Sequence, residues 1–188
     1  MVPRSASKTA RRPREPRAPK PLDPERLNEL ALAYLARFAT SAAKLETYLR
    51  RKLRERGWEG EGEPPVNTLV ERCISAGYVD DAAYARAKAG SLRRRGYGER
   101  RVDQSLGAAG IAVDLREEMR GTVREARQAA LALARKRRLG PFGSLPIERA
   151  AREKQIAVLL RAGHPLDIAR QVMEAVDVAT LEAWEEEE

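Results

Sequence analysis

Cysteine and histidine are nearly missing from this chain of 188 residues, which holds one of each, Cys73 and His164. A single thiol cannot close an internal disulfide, and one thiol with one imidazole cannot build a Cys/His metal cluster. No metal and no cofactor are expected. Aromatic residues are sparse at 5%. No apolar run approaches the roughly 20 residues that span a bilayer. The basic start is not followed by an apolar stretch, so neither a secretory signal nor a membrane partner is expected. These absences point to a reduced, cytoplasmic protein. With 43% hydrophobic residues the chain still has enough apolar side chains for globular structure.

What the chain has in excess is charge. Lys and Arg number 36 against 28 Asp and Glu, a net +8. That total hides three regions. Residues 1–21 carry +6, residues 182–188 carry −5, and the stretch between them carries +7. The two ends nearly cancel, and the body itself is basic, which suits a polyanion or an acidic protein surface. Of the 36 basic residues 29 are Arg, whose planar fork matches phosphate and carboxylate. A GC-rich codon bias produces the same excess without any function.

Residues 1–22 mix Pro, Arg, Ala, Ser and Lys, and read as a disordered basic tail. From Asp23 onward the pattern is helical. Asp23-Pro24 is an N-cap followed by a first-turn proline. Leu27, Leu30, Ala31, Tyr34, Leu35 and Phe38 then follow a helical stripe. A new start at Thr40/Ser41 leads to Leu45, Tyr48, Leu49 and Leu53, with Gly57 as the stop. Val66, Leu69, Val70, Cys73 and Ile74 form a third stripe ending at Gly77, and Asp80 or Asp81 caps the next helix. The alternation of strands is absent, so the fold class is all-α.

The chain also resembles itself. Leu53, Leu106 and Leu159 are evenly spaced, and Gly57, Gly110 and Gly163 repeat the same interval. The match between the second and third copies extends to Val113/Leu166, Asp114/Asp167, Leu115/Ile168, Met119/Val172 and Val123/Val176. On this reading Asp114 and Asp167 are N-caps of equivalent helices. The chain divides into a basic tail (1–22), three helical repeats (23–77, 78–121 and 122–177) and an acidic C-terminal end (178–188), whose Glu185 to Glu188 run reads as solvated and frayed. A three-helix unit of about 50 residues buries little core alone. Three of them in tandem make an elongated, curved array that suits an extended partner.

Catalytic motifs are missing. There is no phosphate-binding Gly-x-x-x-x-Gly-Lys-Ser/Thr loop and no Gly-x-Ser-x-Gly elbow. Gly96-Tyr97-Gly98-Glu99-Arg100-Arg101 lacks the third glycine of a dinucleotide fingerprint and reads as a turn between helices. Asp80-Asp81 reads as a helix start, Cys73 as a core residue and His164 as a turn residue. No enzyme activity is expected.

Basic clusters remain. Arg86, Lys88, Arg93, Arg94, Arg95, Arg100 and Arg101 lie within seventeen residues with only Glu99 against them, and Tyr97 is interleaved where a base can stack. The turn Gly96–Gly98 opens a helix whose free N–H groups suit a phosphate. A second run, Arg135, Lys136, Arg137 and Arg138, closes a long helix, and a third, Arg50 to Arg56, closes an earlier one. Cations at helix C-termini on a solvated face are the plainer explanation of the second and third runs.

Gly77-Tyr78-Val79-Asp80-Asp81-x-x-Tyr84-Ala85, continued by Gly96-Tyr97-Gly98-x-x-Arg101-Val102-x-x-x-Leu106-x-x-x-Gly110-Ile111, resembles the RecX family of bacterial regulators of the RecA recombinase. Ala31-Leu32-x-Tyr34-Leu35-x-Arg37, Ser41-x-x-x-Leu45 and Lys52-Leu53-x-x-x-Gly57 fit the same family, and the similarity covers about residues 25–177. Thr40-Ser41 and Lys44 depart from its usual Arg-Ser and acidic residue, and both terminal extensions fall outside it. The resemblance implies three tandem three-helix repeats that bind along the groove of a RecA–DNA filament. It also implies inhibition of strand exchange, ATP hydrolysis and coprotease activity, hence modulation of recombination and DNA repair, without catalysis by the chain itself. A monomer that also contacts single- and double-stranded DNA is expected. The contact residues come from charge alone: Arg86, Lys88, Arg93, Arg94, Arg95, Tyr97, Arg100, Arg101 and Arg135 to Arg138. The alternative is a general nucleic-acid-binding helical array with no RecA partner.

Overall fold

A computed structural model describes residues 20–143 and 148–186. The tail expected over 1–22 lies outside these residues up to position 19. Ten α-helices follow in order: α1 (Pro24–Leu35), α2 (Ala42–Arg56), α3 (Val66–Ser75), α4 (Asp81–Arg94), α5 (Glu99–Gly107), α6 (Val113–Glu118), α7 (Val123–Arg137), α8 (Arg149–Arg161), α9 (Leu166–Glu174) and α10 (Val178–Glu186). A short 3-10 turn, Gly140–Phe142, follows α7. Among the described residues the β structure is a single isolated bridge between Leu22 and Trp58. The fold is all-α, built as three tandem three-helix repeats.

The caps explain where helices begin. Asp23, Asp80 and Thr122 each accept the backbone N–H three residues on, and so start α1, α4 and α7, the first helix of each repeat. Thr122 and Glu125 complete a reciprocal capping box. Asp177 does the same for Thr180 at the start of α10. The third helices differ. Ala112 and Pro165 precede α6 and α9 without a side-chain cap. Asp114 and Asp167, expected as N-caps, sit one residue inside those helices, where a carboxylate still favours the positive end of the helix dipole.

Each repeat has its own core. The first gathers Leu27, Leu45, Leu49, Leu69 and Cys73, the second Ala85, Ala89, Val102, Leu106 and Ile111, the third Leu131, Leu159, Val172 and Leu181. Leu22, placed by its sequence at the end of the tail, is fully buried in the first core. Its N–H donates to Gly57 O at 3.0 Å and its carbonyl accepts from Glu59 N at 2.8 Å.

The repeated Leu-x-x-x-Gly has a structural reason. At the first junction the start of α2 seats on the turn after α5: Ser41 Oγ donates to Ala109 O at 2.5 Å, and Ala42 N donates to Asp81 Oδ1 at 2.9 Å. At the second junction the start of α5 seats on the turn after α8, with Gly98 N donating to Ala162 O at 3.0 Å and Arg100 N to Gly163 O at 3.3 Å. Gly163 has φ +99°, and a Cβ there would fall 2.6 Å from Arg101 N. Gly110 has φ +74°, and its Cβ would meet that of Ala43 at 2.2 Å. Each glycine therefore supplies both a left-handed turn and room for the preceding repeat. Gly57, in the first described repeat, faces open space.

The acidic end contains α10 (Val178–Glu186). Helix α10 packs on α7, which also receives α4. Leu181 is buried, and Trp184 joins the third core. Residues 178–186 thus form a docked helix, because Leu181 and Trp184, three residues apart, give it a face to bury, while Glu186 stays exposed.

Candidate nucleic-acid interface

The densest cations lie where α4 ends, the chain turns through Gly96–Gly98, and α5 begins. The turn is held from behind. His164, 2% exposed, donates from Nε2 to Gly96 O at 3.0 Å, and its Nδ1 has no partner among the described residues. Burial pushes this imidazole below its ordinary pKa, only partly offset by the Gly96 contact and the charge of Glu99. His164 is therefore a turn residue, between α8 and α9, that also serves as a buried, neutral strut between repeats.

Arg93 does not face solvent. Its side chain is 12% exposed, and Nε and Nη2 grip the two Glu99 oxygens at 2.6 and 2.8 Å, while Nη2 also reaches Met119 O at 2.5 Å. Gly121 N donates to the same carboxylate at 3.2 Å. Burial raises the Glu99 pKa, but the hydrogen bonds from Arg93 and Gly121 outweigh it and hold the carboxyl below its usual range. Arg93 is correspondingly raised, chiefly by the Glu99 hydrogen bond. This clasp joins α4, α5 and the turn before α7, so Arg93 is a structural residue. The one acid in the cluster lies six positions away, across the turn that folds α5 back on α4.

The phosphate site expected at the start of α5 is already filled. The N–H groups of Gly98 and Arg100 donate to the last carbonyls of α8 and its turn, and Arg100 Nη2 adds a bond to Leu160 O at 2.5 Å. Two helix ends of opposite polarity satisfy each other there.

The others stand differently. Arg86, Arg94, Arg95 and Arg101 are exposed, Lys88 is half-buried, and none of the five has an ion pair among the described residues. Arg95 folds back to Ser91 O at 3.3 Å with its guanidinium 5.7 Å from the centre of the Tyr97 ring. In the second cluster Lys136, Arg137 and Arg138 are exposed, and Arg138 takes the left-handed conformation that ends α7. Arg135 is paired with Glu182 of α10 at 2.7 Å and lies over the Phe142 ring. In the third run Arg50 pairs with Glu46, Arg51 and Lys52 with Glu55, as neighbours on one helix do.

Three residues that charge counting passed over complete the surface. Lys44, Tyr78 and Tyr84 line a groove of about 560 Å³ between the start of α2 and the length of α4, together with Lys88 and Ser91. Lys44 Nζ lies 2.8 Å from the Tyr84 hydroxyl. The signal for Tyr78 was an aromatic residue directly after the glycine that ends α3.

Among the described residues no group of three His, Cys, Asp or Glu is placed to hold a metal, and no helix is long and apolar enough to cross a membrane. Cys73 is buried in the first core, where desolvation raises its thiol pKa.

Residues 80–119 match the family model described as RecX, second three-helix domain. The regulatory protein RecX of Myxococcus xanthus is 33% identical over 86% of this chain and 91% of its own length. The chain belongs to the RecX family. The Deinococcus radiodurans RecX is 35% identical over 85% of this chain and 74% of its own. The RecX of Thermus thermophilus is 33% identical over 82% and 89%. In fold, the chain is similar to the crystal structure of RecX from Lactobacillus salivarius, with a TM-score of 0.63, 19% identity, and coverage of 80% of this chain and 94% of that one. The matched RecX segment runs from Asp80 to Met119 and so carries α4, α5 and α6, the helices that hold the open cations.

Proposed function

We propose that this RecX-family protein is a non-catalytic regulator that binds RecA–DNA filaments along their groove and inhibits recombinase, ATPase and coprotease activities. In this reading it acts in the cytoplasm as a monomer whose repeats follow the filament. Groove occupancy blocks the incoming duplex and the subunit movements that accompany ATP hydrolysis. The observation that carries it is the uncompensated set Arg86, Lys88, Arg94, Arg95 and Arg101, displayed on rigid helices of the central repeat. Such a surface attracts a polyanion at long range and is weakened by salt. Membership of a family of regulatory proteins supports the absence of chemistry of its own.

The test is RecA ATPase and strand exchange on single-stranded DNA with stoichiometric protein added. Both fall on this reading. Unchanged rates, with binding to bare DNA no weaker than to RecA-coated DNA, favour the general nucleic-acid-binding array instead.

A further inference from the structure

We infer that the face of α4 turned toward α2 and α5 is a track for single-stranded nucleic acid, with Tyr78 and Tyr97 as base-stacking platforms and Lys44, Lys88, Arg95 and Arg101 as phosphate contacts between and beside them. The inference deepens the proposed function and rests on its nucleic-acid side.

The track is built from two grooves that meet. The first, about 560 Å³, is lined by Lys44, Tyr78, Tyr84, Lys88 and Ser91. The second, about 300 Å³, is lined by Leu92, Arg95, Tyr97, Arg101 and Gln104. Arg95 joins them, because its Nε returns to Ser91 O across one turn of α4. Tyr84, Lys88, Ser91 and Arg95 recur at helical spacing and so share one face of α4, about 17 Å long at 1.5 Å per residue.

The ends of the track carry its aromatic rings. Tyr78 is 62% exposed although its backbone is fixed, with N–H donating to Cys73 O at 2.9 Å in the turn that Gly77 closes at φ +73°. With the backbone already fixed, only the two side-chain torsions of the ring remain to be ordered by a ligand, which lowers the cost of binding. Tyr97 is 36% exposed and fixed by the same kind of turn, its N–H donating to Leu92 O at 3.1 Å. Between the rings the charge is positive. The acid on the first groove, Asp80, already accepts Ala83 N at 2.8 Å, and Glu99 is turned away into the Arg93 clasp. Aromatic faces alternating with cations select an unstacked strand, since a duplex keeps its base faces inside the helix. An acidic peptide would use the cations and gain nothing from the rings.

Fluorescence anisotropy of the full chain with a labelled oligothymidylate, and with a duplex of the same length, tests this without RecA. Tyr78→Ala and Tyr97→Ala should each weaken oligothymidylate binding by about tenfold, leave duplex binding within about twofold, and recover with Tyr→Phe. Lys88→Glu with Arg101→Glu should weaken both and flatten the salt slope by about 0.7 per lost contact on the single strand. Equal loss on strand and duplex, or no loss, overturns the track. So does poly-glutamate that displaces the oligonucleotide equally from wild type and from Tyr78→Ala. Helicity measured by circular dichroism, with the Tyr→Phe variants, separates misfolding from lost stacking. If these variants bind the oligonucleotide as expected while wild type leaves RecA unaffected, the proposed function fails and the track stands.

Discussion

Two basic helices of this protein meet different neighbours: α10 covers Arg124, Arg127 and Arg135 along α7 and leaves its last turn, Lys136 to Arg138, exposed, whereas most of the cluster at the end of α4 meets no acidic helix. At the end of α4 one residue, Arg93, turns inward to Glu99, and the rest of the cluster stays open. On α7 the basic face is met by an acidic helix. Arg124 pairs with Glu186 at 2.6 Å, Arg135 with Glu182 at 2.7 Å, and Arg127 donates to Trp184 O with its guanidinium 5.1 Å from that indole. The nearest countercharge lies six residues away in the first case and 47 or more in the second. Local charge density is therefore a poor measure of an available surface. What decides availability is which acids the tertiary fold brings back.

The largest effect that would sharpen this contrast lies in the clasp. Arg93→Ala strands a half-buried carboxylate and removes the donor to Met119 O, which should cost about 3 kcal/mol in urea unfolding. Arg94→Glu, its exposed neighbour, should stay within about 0.5 kcal/mol. Equal costs for the two would break the distinction between structural and open arginines.

Removing α10 by truncation after Ala175 comes next. The ion pairs are exposed and worth little singly, so most of the loss is the burial of Leu181, about 2 kcal/mol. The same truncation frees Arg124 and Arg135 and should raise affinity for a polyanion such as heparin severalfold, most visibly at low salt. No change in affinity would mean that α10 covers nothing that a polyanion can use.

The smallest effect is a pH dependence at the joint behind the α4–α5 turn. The folded pKa of His164 is depressed, so the unfolded chain binds more protons as pH falls. Stability is then complete above the ordinary imidazole value of about 6.5 and eroded progressively below it. Glu99 has the same sign in a lower window: its contribution is present above about pH 4.5 and lost as pH drops through its depressed folded value. His164 is the sole histidine, so a His164→Gln variant should flatten the profile just below pH 6.5 while leaving the acid limb of Glu99. A drop that persists in that variant would assign the first window elsewhere.

Much of this was legible in the residues. The caps at Asp23 and Asp80 and the apolar stripes locate helices because they are local, and the capping box at Thr122 and Glu125 is of the same local kind. The repeating glycines were visible as a spacing, and the structure adds that two of them make room for the preceding repeat. What stayed hidden was relational. Nothing near Arg93 says that the chain reverses at Gly96 and delivers Glu99 to it. Nothing near Gly98 says that the carbonyls of α8 will occupy its N–H group. The helix within the acidic end is hard to see among its glutamates; the spacing of Leu181 and Trp184 and the cap at Asp177 are the clues to its docking. The exposure of Tyr78 is not legible in its motif, since it depends on what the neighbouring repeat leaves open.

The most direct measurement of the central claim is RecA ATPase on single-stranded DNA, titrated with wild type, with Arg94→Glu/Arg101→Glu, and with Lys136→Glu/Arg137→Glu. If the open face of the central repeat carries regulation, the first pair raises the half-inhibitory concentration at least about tenfold, the scale of one or two lost charge-assisted contacts. The second pair should shift it by no more than about twofold. Equal shifts for both pairs, or inhibition that survives the first, would contradict the account.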